Sequence, residues 1–159
     1  MFAAKSARRA LALGSALVTT GVLALVSAPQ PAMASGITVQ FTVDCLNVNY
    51  FGDTSDWYAS DLWFGAIPSG GGSVPYSSAT AVPATHSWRF TQTVPSGTTA
   101  VGAGGICSGG HQYDFFGSSA YASIPAGTTT VTGTWACTTA PVYPGPWQTN
   151  CTVQSVSYS

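Results

Sequence analysis

Two histidines, His86 and His111, and five aspartates, Asp44, Asp53, Asp56, Asp61 and Asp114, are the groups in this sequence best suited to acid–base chemistry near neutral pH; there is no glutamate. A Ser–His–Asp relay is arithmetically possible, but no G-x-S-x-G elbow sets a serine at a strand-to-helix turn. Glycoside hydrolysis needs two opposed carboxyl groups, whereas Asp53 and Asp56 share one short polar stretch. Asp53, Asp56 and Asp61 supply the oxygen ligands that extracellular calcium takes, yet their spacing matches no defined calcium loop and reads better as an acidic turn. Zinc would have to join Cys107 and His111 to other cysteines without any C-x2-C pair. We therefore expect no catalytic site, no metal and no cofactor.

Charge narrows the field further. Only 6% of the 159 residues are charged, against about 25% in ordinary soluble domains. Lys5, Arg8 and Arg9 lie at the N-terminus, and Arg89 is the one cationic residue after them. No basic patch for nucleic acid can be built from that.

The N-terminus explains the imbalance. Lys5, Arg8 and Arg9 precede an apolar stretch from Ala10 to Ala28, followed by Pro29, Pro31 and the small-x-small site Ala32-Met33-Ala34. The stretch is diluted by Gly, Ser and Thr and is near the lower limit for spanning a bilayer. A cleaved secretory signal, residues 1–34, is therefore preferred over a retained anchor. The expected product is one domain, residues 35–159, secreted and free of the membrane. Its Arg89 stands against five aspartates, so the formal charge of −1 belongs to the precursor alone.

Export gives the four cysteines their meaning: an even count implies two disulfides. Three pairings are possible. Cys137–Cys151, with Pro141, Pro144 and Pro146 between them, is favoured, leaving Cys45–Cys107.

The elements holding these residues read as strands. Ile37, Val39, Phe41, Val43 and Cys45 alternate with Thr38, Gln40, Thr42 and Asp44. Trp88, Phe90 and Val94 lie opposite Arg89, Thr91 and Thr93, and Val131, Trp135 and Cys137 opposite Thr130, Thr132 and Thr134. No comparable helical periodicity follows the leader. Phe90–Cys107 also overlays Ala120–Cys137 without gaps, matching Pro95 with Pro125, Gly97 with Gly127 and Cys107 with Cys137. A fainter copy begins at Ile67-Pro68-Ser69-Gly70. Each copy predicts a strand end, a Pro-x-Gly turn and a new strand, either a duplicated hairpin or equivalent Greek-key corners. The expected fold is all-β: a two-sheet antiparallel β-sandwich, Ig-like or jelly-roll, with two disulfides.

Binding residues are then sought among aromatics on stiff loops. Tyr143 and Trp147 lie in the proline-rich Cys137–Cys151 segment, whose closure contributes about 3 kcal/mol for a loop of about 15 residues. A stiff loop bearing Tyr and Trp suits a contact surface. Trp57 and Trp63, with Tyr58 and Phe64 among three aspartates, could face sugar rings, although two of these four aromatics are expected in the core near Leu62. Arg89 is a third candidate, as an interface anchor or as the partner of an aspartate or an aromatic ring.

The triplet Trp88-Arg89-Phe90 resembles the Trp-Arg-Tyr triplet that α-amylase inhibitors of the tendamistat type insert into their target. The likeness is confined to Ser87–Phe90 with Gln92. It departs in Phe90, in the absence of a nearby cysteine and in chain length, and it carries no functional assignment. The leading expectation is a non-catalytic interaction protein docking another secreted or surface protein. The alternative is a carbohydrate-binding module that presents Trp and Tyr to a polysaccharide.

Overall fold

The structure is a computed structural model that describes residues 36–45, 58–107, 115–144 and 147–159. The expected signal segment, residues 1–34, and Trp57, Asp53, Asp56, His111 and Asp114 lie outside the described residues. Ten strands follow in order: β1 Ile37–Asp44, β2 Ser60–Ile67, β3 Gly71–Ser73, β4 Thr80–Val82, β5 Ser87–Val94, β6 Ala100–Ile106, β7 Phe115–Ser119, β8 Ala122–Ser123, β9 Thr130–Pro141 and β10 Trp147–Tyr158. Two short 3-10 turns, Tyr76–Ser78 and Pro83–Thr85, flank β4. The chain is all-β, with two sheets and two disulfides.

Six strands form one sheet in the order β4-β5-β1-β9-β10-β7, and four form the other in the order β3-β2-β6-β8. Alternation led us to expect antiparallel pairing throughout, and two pairs depart from it. β1 runs parallel to β9, and β10 parallel to β7. Parallel neighbours require a crossover; between β1 and β9 the chain supplies it by visiting the four-stranded sheet.

Period-two patterning explains which faces meet. Ile37, Val39, Phe41 and Val43 are buried, while Thr38, Gln40 and Thr42 point the other way. Phe41 is the hub of the core. Its ring contacts Phe90 at 5.1 Å and Trp135 at 5.3 Å in its own sheet, and Phe64 of the smaller sheet at 5.8 Å. Such pairs each add about 0.5–1.5 kcal/mol beyond the area they bury.

β6 is buried on both faces. Val101 and Ala103 pair with Ala66 and Phe64 toward Phe41, while Gly102 and Gly104 face Tyr121 and Phe116. A Cβ at Gly104 would sit 2.8 Å from the Phe116 ring and 3.1 Å from the Cys151 sulfur. Glycine here permits that close approach.

The repeated segments are corners, not hairpins. Pro95–Thr98 leads from β5 of the large sheet to β6 of the small one, and Pro125–Thr128 leads from β8 back to β9. Each is closed by an N–H to carbonyl bond, Thr98 to Pro95 at 2.9 Å and Thr128 to Pro125 at 3.3 Å. Gly127 has φ +84°, the freedom expected of a turn glycine. Gly97 does not adopt positive φ, so only one of the two matched glycines is needed for backbone conformation. The third copy differs again: it closes the β2–β3 hairpin, with the Ala66 N–H on the Gly70 carbonyl at 3.1 Å.

Cys45–Cys107 joins the end of β1 to the end of β6 and so ties the sheets together. Cys137–Cys151 links directly opposed positions of β9 and β10.

Candidate functional site

β9 and β10 continue beyond their disulfide as an arm, pairing as far as Pro141 opposite Trp147. The three prolines do not prevent this, because Pro141 stands at the strand end, where a missing ladder donor costs least. Past that pair the chain turns through Val142, Tyr143 and Pro144. Tyr143 is 98% exposed, the most open large side chain among the described residues, and Val142 beside it is 38% exposed.

The base of the arm is fastened twice. Besides the disulfide, the Thr139 hydroxyl donates to the Cys107 carbonyl at 2.7 Å, and Thr149 Oγ1 accepts from the Cys107 N–H at 3.1 Å. The two hydroxyls are themselves 2.7 Å apart. With Thr139 donating to the carbonyl, Thr149 donates to Thr139, and each group has a partner. Thr149 is fully buried, so this cluster would be costly to leave unmade. β7 adds a third strand alongside, Phe115 opposite Gln148 and Phe116 opposite Thr149. Thus a tyrosine without cover lies beyond an arm whose base is fastened to the end of β6.

The other expected site residues separate. Trp147 is half-buried at the start of β10. Trp63 is half-buried, edge-on to Phe116 at 4.9 Å, and its indole N–H is buried with no partner among the described residues. Tyr58 packs on His86 and Trp88, and Phe64 on Phe41 of the core, so Tyr58, Trp63 and Phe64 each engage a ring from another part of the chain instead of forming one open platform. β2 is locally irregular here: Asp61 has φ +49°, and the β2–β6 register shifts between Ser60 and Trp63.

Arg89 is exposed at mid-strand in β5, and among the described residues its guanidinium makes no ion pair, hydrogen bond or ring contact. The neighbours in its triplet point away from it: Phe90 is buried, and Trp88 donates its indole N–H to the Ala59 carbonyl at 3.0 Å. The three side chains therefore do not form one exposed inserting motif. His86 precedes β5, half-buried with φ +46°. Among the described residues no group of three or more His, Cys, Asp or Glu could hold a metal ion.

Sequence reasoning passed over Phe115, Thr139 and Thr149. The two threonines carry a signal in retrospect: each lies two residues from a disulfide cysteine, on the same strand face. No protein-family model, curated protein or solved structure matches the chain.

Proposed function

We propose that this chain is an exported, non-catalytic interaction protein, folded as a β-sandwich with Greek-key corners, that docks another secreted or surface protein through the β9–β10 arm. The observation that carries the reading is Tyr143, 98% exposed at the tip of an arm fastened by a disulfide and by two threonines. A large aromatic held open on a stiff support is the side chain most often dominant in protein contacts. Export is supported by the leader-like residues 1–34 and by two disulfides.

The glycan alternative draws less support in the form that uses tryptophan. Among the described residues Trp135 is buried, and Trp63, Trp88 and Trp147 are half-buried, whereas stacking on sugar rings needs open indole faces; Trp57 lies outside the described residues.

The test is affinity capture from the culture supernatant of the source organism, with purified protein as bait. Wild type should retain a discrete partner, and Tyr143→Ala should retain at least about tenfold less, the effect of losing a dominant contact. Equal retention by both proteins overturns the assignment.

A further inference from the structure

The outward face of the six-stranded sheet has a composition that neither the core nor the arm accounts for. Register places Arg89, Thr42 and Thr134 in one row across β5, β1 and β9, and Thr91, Gln40 and Thr132 in the next. Strands lie about 4.8 Å apart, and same-face residues along a strand lie about 6.7 Å apart. Five hydroxyl and amide side chains therefore form a grid beside one guanidinium. Ser78 and Thr80 raise a wall at the β4 edge, and the whole encloses a shallow concavity of about 560 Å³. That is within the roughly 300–1,000 Å³ of small-ligand sites.

Three features of this concavity point to one ligand chemistry. Its single charge is positive, in a domain that is otherwise acidic. Asp44, two residues beyond Thr42 on the same strand, is 8% exposed, outside the lining and not ion-paired with Arg89. An unengaged guanidinium presents its planar fork for bidentate contact with a carboxylate, phosphate or sulfate. Around it, hydroxyls that can both donate and accept match the hydroxyl rim of a sugar. No side chain in the lining other than those of Phe41 and Phe90 is aromatic, and both of these belong to the buried face. Recognition would thus be polar, without ring stacking.

We propose that this face binds an anionic polysaccharide, with Arg89 taking the acidic group and Gln40, Thr91 and Thr132 taking ring hydroxyls. The site is separate from Tyr143 and does not depend on the docking reading.

Isothermal titration of the purified protein with polygalacturonate, dextran sulfate and neutral dextran tests it. Binding is expected to one or both acidic polymers and not to dextran, weakening as salt is raised; preference between the two identifies the acid recognised. Arg89→Gln should lower affinity about tenfold or more. Thr91→Val with Thr132→Val should lower it further while leaving the circular dichroism spectrum unchanged. Tyr143→Ala should bind as wild type. Absence of binding to both acidic polymers overturns the proposal, as does affinity unaltered by Arg89→Gln or equal affinity for dextran.

Discussion

The two disulfides hold different kinds of structure. Cys45–Cys107 spans 62 residues of sequence and links one sheet to the other, beside a core in which Phe41, Phe64 and Trp135 meet. Cys137–Cys151 spans 14 and joins two strands already paired on both sides of it. The first constrains how the sheets assemble. The second adds little to that assembly and instead stiffens the arm that carries Tyr143. The two bridges therefore act at different scales, one on the assembly of the sheets and one on a local strand pair.

The long-range bridge offers the strongest way to break this contrast. Replacing Cys45 and Cys107 together by alanine should cost about 4 kcal/mol in the chain-entropy account, a large share of a typical total of about 5–15 kcal/mol. Urea unfolding would show it as a lower midpoint. Replacing Cys137 and Cys151 should cost about 3 kcal/mol at most. Hydrogen exchange is the sharper readout: protection should fall between Thr138 and Asn150 while β1 and β6 keep theirs. Uniform loss of protection in both variants would erase the distinction.

Smaller effects probe the clamp and the tip. Thr149→Val retains shape but leaves the buried Cys107 N–H without its acceptor, at a cost of about 1–3 kcal/mol, visible as faster exchange of that amide. Tyr143→Ala should change stability by no more than about 0.5 kcal/mol, as exposed substitutions do, while partner capture collapses. A destabilised Tyr143→Ala would mean that the tyrosine packs in the fold after all.

Much of the architecture is legible in the sequence, because burial on one face of a strand writes itself as alternation. β1, β5 and β9 can be read residue by residue. What escapes is set by non-local geometry. Parallel pairing of β1 with β9 leaves no trace in either strand, since the same alternation serves both directions. The Pro95 and Pro125 turns are visible, but that both cross between sheets is not: a turn sequence specifies a reversal, not its destination. The left-handed Asp61 shifts the register of β2, so the parity expected around Leu62 does not extend along the strand. At the site, Tyr143 is readable from its proline neighbours, whereas the Thr139–Thr149–Cys107 cluster joins residues far apart in sequence. Arg89 stands out as the lone Lys or Arg after residue 9, but its freedom from ion pairs among the described residues, and the row of hydroxyls beside it, depend on strand order.

The claim that the arm tip is the contact surface can be tested with a photoactivatable phenylalanine analogue at position 143, compared with the same group at position 126. Ala126 is exposed in the corner before β9, at the opposite end of that strand from Tyr143. Irradiation in native supernatant should give a discrete higher-mass adduct from position 143 and none from position 126. Adducts of equal yield from both positions, or from position 126 alone, would contradict the account.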